Sequence, residues 1–565
     1  MAYSRGTFPE NMLSRTLSIW ASLLAALIVA TSIYGGYHFF SPIPYGDQWD
    51  GELGFYKDLI DGDYAVFWAQ HMEHRIVFSR VLFWLDIVLF GGRNVFTIVA
   101  NYVLLFAVAL VLWREYRSGR KELHPPLLVG GLILGFLLLW VQAENIKWGF
   151  QSQCIAVYLF ALMAFAQFSR SDNRPLRVSL AMLLCIASTL SMGNGVVAFG
   201  VMAIQGVLQR RPIRESLIVA AGGAVCALIY FHGYHKPILP IAPAAEHISL
   251  IRLKFFAAFM GNPTFFAWNT VGAMISPNPM DWGTWSLKIS ALFGIASLAV
   301  ATVVTVRLFA KAQITPYRSF LIASYGLVVA SAMGASNSRW MLGLGASVSG
   351  RYTTPVVISF AVLALLVLDV GTTRRARLLT SIASLVLLTF TALYQSQAFE
   401  DNAYLYKWKL AVLGQKIGLD HPEYDAAIYP ASMHDWFVAN ANFAADYEVG
   451  LYGRGWLRDA GVVKFDPARV DQSFCLGHLD ATFTDKGVMH ATGWAATADR
   501  ETLLIVLTDA EGKTIGYGVS GQRRLDVSTA VKMASPDAGW TGFANAAEEP
   551  ISAYVYQYGH FCKLP

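Results

Sequence analysis

The sequence predicts an all-α polytopic membrane domain of about eleven transmembrane helices, followed by a C-terminal extracytoplasmic β-sandwich. Three features predict it. Of the 565 residues 55% are hydrophobic and 14% are charged, and the mean hydropathy is +0.44. That is too little charge to keep a soluble domain dispersed. Apolar runs recur through the first 395 residues, and from residue 470 onward the pattern becomes short alternating strands separated by turns, as in "ETLLIVLTDA", "TIGYGVSG" and "ISAYVYQYGHFC".

A crossing needs about 20 apolar residues to pass roughly 30 Å of hydrocarbon. The segments that qualify are 17–40, 94–113, 126–142, 150–168, 177–192, 195–209, 216–232, 286–306, 319–335, 353–370 and 378–395. The first is preceded by Arg5 and Arg15, is too long for a signal-peptide core, and has no small-residue cleavage site after it. It reads as a retained span. The pair 177–192 and 195–209 is short and joined by "MGNG", which suits a tight or tilted hairpin. The segment 76–90 is apolar but carries Arg80 and Asp86, so it is either an in-plane helix or a further span.

Loop charge arbitrates. With 76–90 kept out of the membrane, five basic clusters fall on one side: Arg114, Arg117, Arg120 and Lys121; Arg170, Arg174 and Arg177; Arg210, Arg211 and Arg214; Arg307, Lys311 and Arg318; Arg374, Arg375 and Arg377. Lys and Arg flank the cytoplasmic ends of spans. An odd number of crossings from an inner N-terminus then carries residues 396–565 outside. The net charge of +5 is spread over short loops with no basic tract, which excludes nucleic acid as a partner.

Three domains are expected: a transmembrane domain over 1–395, a mixed helical connector over 396–469, and the sandwich over 470–565. Cys154, Cys185 and Cys226 fall within predicted spans as small packing residues. Cys475 and Cys562 open and close the sandwich, and an oxidising compartment favours a disulfide between them. No Cys/His spacing suggests structural zinc.

Chemistry-bearing residues cluster at outer ends. "IPYGDQWDGELGFY" (43–56) places Asp47, Asp50 and Glu52 where the first span emerges. Trp49, Leu53, Tyr56, Leu59 and Ile60 share one helical face suited to lying along the interface. "WAQHMEHRIVF" follows, with His71, Glu73, His74 and Arg75. "AENIKWGFQSQ" (143–153) sets Glu144, Asn145, Lys147 and Gln151 beside Trp148, and "NSRWMLGLGASVSGRYTTP" (337–355) sets Arg339, Arg351 and Tyr352 at the membrane edge. Polar side chains beside an aromatic platform suit a sugar, although interfacial aromatic belts and headgroup-seeking arginines produce the same composition.

Read in order, Asp47, then Gly62-Asp63-Tyr64 fifteen residues on, then Glu73-His74-Arg75 resemble the first outer loop of the GT-C superfamily. Bacterial aminoarabinose transferases and protein O-mannosyltransferases there carry Asp-Glu-x-x-Tyr, Gly-Asp-Trp and Glu-Lys-Pro-Pro. Gln48 stands here in place of Glu, and no Pro-Pro follows Glu73, so the likeness is to the superfamily and not to those branches. O-antigen-modifying glucosyltransferases are similar in the same general way.

The resemblance implies a glycosyltransferase that moves a single sugar from a polyprenyl-phosphate donor to an extracytoplasmic glycan such as O-antigen. It would sit in the bacterial cytoplasmic membrane with its active site on the periplasmic side. Asp47 would be the general base. Asp50 would support it, bind a sugar hydroxyl or hold a divalent cation, Mg or Mn, although two carboxylates alone do not make a metal site.

Arg75, Arg351 and His74 would take the donor phosphate. Glu73, Glu144, Asn145, Trp148, Gln151 and Tyr352 would contact sugar or acceptor. Two other readings compete. A polysaccharide polymerase or ligase has no evident use for an acid at the end of span one. A transporter or flippase of lipid-linked saccharides predicts internal repeats that the chain lacks.

Overall fold

The computed structural model describes residues 12–119, 125–236, 248–275, 279–419, 422–485, 487–499, 501–545 and 550–565. Arg5, Arg120 and Lys121 lie outside them. The chain divides into two compact units. The first comprises Met1–His38, Trp68–Ser79 and Thr97–Glu400; the second comprises Phe39–Phe67, Arg80–Phe96 and Asp401–Pro565. The division differs from the expected one, because the stretch after the first crossing folds with the C-terminal part of the chain.

The first unit is helical. Among the described residues, ten helices are long and apolar enough to cross a membrane: Met12–His38, Val95–Gly119, Pro126–Lys147, Gly149–Ser169, Arg174–Ser191, Ile213–Phe231, Gly283–Ala310, Pro316–Leu342, Gly350–Val370 and Arg374–Phe399. The chain is a polytopic membrane protein. The expected eleventh crossing, 195–209, is a shorter apolar helix, Gly193–Leu208. Its length amounts to roughly 24 Å of rise, close to the lower limit for a crossing. The disputed segment forms helix Val77–Phe90, about 21 Å long and too short to span.

Two helices that hydropathy did not single out, Ile248–Met260 and Asn262–Ile275, pack against helix Pro279–Ala310. Small residues set the close contacts. A side chain at Gly131 would meet the Ala21 carbonyl oxygen at 2.6 Å, so helices Met12–His38 and Pro126–Leu137 approach at a distance only glycine allows. Several basic loop residues are paired: Arg170 with Glu115 at 2.9 Å, Arg211 with Glu215 at 3.3 Å, and Arg318 with Asp369 at 2.5 Å.

In the second unit the terminal strands are β1 Cys475–Asp485, β2 Val488–Thr497, β3 Leu504–Thr508, β4 Thr514–Gln522, β5 Gly539–Asn545, β6 Ser552–Gln557 and β7 His560–Leu564. They form one seven-stranded sheet in the order β1-β2-β5-β4-β3-β6-β7, with every neighbouring pair antiparallel. This corrects the expected sandwich. The period-two pattern that marks a strand does not say whether strands join one sheet or two.

Both faces of the sheet are covered, which is why β3 is buried throughout. Ile505 and Leu507 face a cluster around the fully buried Trp540. Leu504 and Val506 face helices from residues 404–459, including Leu410, Ala441 and Trp456. A helical layer thus does the work of a second sheet. Tyr406 reinforces it by donating from its hydroxyl to the Val519 carbonyl at 2.8 Å. The sheet curls, and its edges meet: Cys475 and Cys562 are joined by a disulfide, and the Leu479 amide donates to the Pro565 carbonyl at 2.9 Å.

The sequence separation of the disulfide is 87 residues. In the chain-entropy account, closing a loop of that size stabilises the fold by roughly 4–5 kcal/mol. The double variant Cys475→Ser/Cys562→Ser should therefore lose hydrogen-exchange protection in β1 and β7 and melt at lower temperature. Unchanged protection in both strands would show that the tie adds nothing to the sheet.

Candidate functional site

The acids after the first crossing are set by the second unit. Gly46, at φ 52°, donates its amide to the Ile428 carbonyl at 2.8 Å. The chain then makes a short π-helix, Trp49–Gly54. Trp49 is completely buried, edge-on against Phe437 with ring centroids 4.7 Å apart, and Leu53 lies in the same core. These two residues do not lie along a bilayer surface, as the helical-face reading expected. The core of the connector claims them.

With Trp49 fixed inward, the three acids fall into two environments. Asp47 and Asp50 are half-buried and both act on Tyr429, a buried phenol from the connector. Burial is the main cause that keeps Tyr429 protonated well above the usual tyrosine range; the nearby Asp50 carboxylate and then the Asp47 charge add to it. Sequence reasoning missed Tyr429 because "AAIYPAS" carries no local signal of a distant partner.

Glu52 is the buried member, 5% exposed. Gln48 donates to its carboxyl oxygen at 2.9 Å and to Asn94 Oδ1 at 3.2 Å, while the Asn94 amide donates to Asp86 Oδ2 at 3.1 Å. Glu52 is pushed up to about 8 by burial first and by the Asp86 charge second, against the Gln48 hydrogen bond. Burial likewise raises Asp86. Glu52 is therefore a protonated structural acid at neutral pH.

The first unit holds the second group. His71 and His74 exchange two backbone hydrogen bonds, 2.7 and 2.9 Å, around Met72 at φ 48°. This tight turn presents Glu73, which pairs with Arg339 Nη2 at 2.6 Å. His74 Nδ1 is buried without a hydrogen-bond partner. The imidazole is pushed down to about 4 by burial first, then by the charges of Arg339, His71 and Arg351. A neutral histidine bordered by two guanidinium groups is a surface suited to an anion.

Arg75 is placed differently from the expected phosphate ligand. Its guanidinium donates to the carbonyls of Tyr230 at 2.9 Å, Trp68 at 2.6 Å and His232 at 2.8 Å, and it lies over the Trp68 ring at 5.0 Å. At 5% exposure it is a tie between segments of the chain, with its fork already committed. Arg339, paired with Glu73, is the arginine whose charge acts on His74. The signal for it was its occurrence on an outer loop against the charge rule.

The two remaining loops are knotted together. Asn145, fully buried, donates to Thr354 Oγ1 at 2.8 Å and the Arg351 carbonyl at 3.1 Å. Thr354 in turn donates to Gln142 at 2.7 Å. Gln151 is buried and accepts from the Cys154 thiol at 3.1 Å. Asn145 and Gln151 thus hold backbone and core, whereas Glu144, Lys147 and Trp148 remain half-exposed.

Arg351 Nε lies 4.0 Å from Glu144 Oε1 and 3.3 Å from Ser349 Oγ, which accepts from it. Tyr352 packs on Phe259 with centroids 4.8 Å apart. A side chain at Gly350 would come within 2.5 Å of the Glu144 carboxylate, so glycine is what lets the two loops close on each other. Among the described residues no group of three or more His, Cys, Asp or Glu is arranged to hold a metal ion. Asp47 and Asp50 alone leave a divalent cation short of ligands.

No protein-family model matches the chain, and no curated protein matches it. Among solved structures it is similar to an archaeal oligosaccharyltransferase, AglB from Archaeoglobus fulgidus, in complex with an inhibitory peptide and a dolichol-phosphate. The identity is 10% and the TM-score 0.36, over 76% of this chain and 60% of that one. The chain therefore spans less than two thirds of that structure's length.

The Glu52 environment makes a prediction about pH. Its folded value of about 8 exceeds the ordinary 4.5, so the folded state holds a proton that the unfolded state releases. Stability should fall as pH rises through that window, by up to roughly 1.4 kcal/mol per unit. Glu52→Gln should melt higher than wild type at pH 8, equally at pH 4.5, and with a flatter profile between. Equal slopes for the two proteins would mean that Glu52 is ionised in the fold.

Proposed function

We propose that this chain is a GT-C-like membrane glycosyltransferase that transfers one sugar from a polyprenyl-phosphate carrier to an extracytoplasmic glycan. O-antigen or a comparable envelope polysaccharide is the preferred acceptor class. The observation that carries the reading is the separation of three neighbouring acids into one buried, protonated Glu52 and a half-exposed pair, Asp47 and Asp50, at the end of the first crossing. A carboxylate spared from the core is what an inverting transfer needs as its base.

In that reaction Asp47 takes the proton of the acceptor hydroxyl. The oxygen attacks the anomeric carbon, the bond from that carbon to the phosphate oxygen breaks, and the electron pair leaves with the polyprenyl phosphate. Asp50 stands beside the base, with its charge acting on Tyr429. Arg351 and Arg339 face the donor phosphate with His74, whose neutral ring donates a hydrogen bond and adds no charge. Glu144, Trp148 and Tyr352 serve the sugar. With Gly193–Leu208 counted as a short eleventh crossing, the five basic loops and the Cys475–Cys562 bridge support an orientation with residues 396–565 outside the cytoplasm, where such a lipid donor is used.

The test is transfer from a polyprenyl-phosphate hexose by the purified protein in lipid. Asp47→Asn should abolish turnover while leaving the melting temperature unchanged; near-normal turnover removes Asp47 as base. Arg339→Ala and Arg351→Ala should each raise the donor KM by an amount equivalent to about 1.5–3 kcal/mol. Unaltered donor use in both variants removes the phosphate assignment. A periplasm-active reporter fused after residue 400 should be active, and activity of a cytoplasmic reporter there would overturn the orientation.

A further inference from the structure

An open cleft of about 520 Å³ lies in the second unit, where the start of β1 meets the β6–β7 hairpin. Nothing in the transfer reading uses it. Its floor is the Cys475 end of the disulfide that ties β1 to β7. The segment leading into β1 is held there too, because the Asp471 amide donates to the Phe561 carbonyl at 2.8 Å.

The lining combines two kinds of surface. Tyr558, at the hairpin tip, is 76% exposed, and Leu476 is 51% exposed. Tyr558 holds φ 49°, a left-handed conformation that turns usually give to Gly or Asn. The aromatic side chain therefore stands there despite the backbone preference and despite its apolar surface in water. Around it are hydrogen-bonding groups: Gln557 Nε2 donates to Asp499 Oδ2 at 3.1 Å, and the Asp499 charge acts on the Tyr558 hydroxyl. Asp471 lines the same cleft.

We infer that this cleft is a binding site for a neutral glycan chain. Tyr558 and Leu476 supply the apolar platform for a pyranose face, and Asp499, Gln557 and Asp471 supply partners for its hydroxyls. A carboxylate accepts two neighbouring hydroxyl protons, and the amide both donates and accepts. The same carboxylates repel a uronic or sialic acid, which sets the charge of the ligand. The site is independent of Asp47 and stands whether or not the chain transfers sugar.

The experiment uses the full chain in phospholipid nanodiscs, free of sugar-headed detergent. Saturation-transfer NMR is run with maltotriose, cellotriose, mannotriose, chitotriose and trigalacturonate at millimolar concentration. At least one neutral trisaccharide should bind, trigalacturonate should not, and Tyr558→Ala should weaken binding about tenfold with the disulfide intact. Asp499→Asn should weaken it as well, while Asp47→Asn leaves it unchanged. The inference is overturned if no neutral trisaccharide binds, if trigalacturonate binds as well as they do, or if both cleft variants bind like wild type. Binding retained in an Asp47 variant that has lost transfer separates this site from the catalytic reading.

Discussion

The arrangement of the acids depends on one buried ring. Trp49 sits at zero exposure against Phe437, and an indole removed from water in this way is among the strongest anchors a short segment can have. Once it points into the connector's core, the π-helical turn around it has no freedom left to redistribute its neighbours. Glu52 must go inward with it, to Gln48, and Asp47 and Asp50 must remain where water reaches them. The extra residue in a π-turn is a usual mark of a functional position. Here it re-aims carboxylates that a regular α-helical turn would present differently.

Much of the fold was legible because membrane crossing is a demand on length and composition together. The long apolar runs follow from hydropathy, and no tertiary information is needed to read them. The limits are as physical. Gly193–Leu208 is shorter than the other apolar helices, a difference that hydropathy alone does not register. The helices Ile248–Met260 and Asn262–Ile275 contain Arg252, Lys254 and a mid-segment Asn262-Pro263 that break any hydropathy window. The single sheet was hidden because the layer covering its second face comes from helices over residues 404–459, which a strand pattern does not reveal.

The candidate site divides the same way. Outer loops rich in Asp, Glu, Arg, Trp and Tyr could be found by inspection, but which of their side chains face outward could not. Arg75 and Arg339 show why. Both are outer arginines in aromatic surroundings, yet Arg75 ends among three carbonyls and Arg339 beside Glu73 and His74. The difference is made by the free carbonyls at the end of helix Ile213–Phe231, whose need for donors is invisible at residue 75. Asn145 is a parallel case, since its amide is taken up by the loop that carries Arg351.

The closed edge of the terminal sheet also has a consequence in time. Seven antiparallel strands leave the first and last running in the same direction, and an unprotected edge strand is a template for another chain. In the finished sheet β1 and β7 shield one another. During synthesis β1 emerges 87 residues before the cysteine that closes it, an interval of roughly 4–17 s at ordinary elongation rates. For that interval its edge is open to any neighbouring nascent copy. The glycine-interrupted and charge-bearing β1, with Gly477, His478, Asp480 and Asp485 along it, is a poor partner for such a neighbour, so the strand that waits longest for its closing partner is also poorly suited to pairing wrongly.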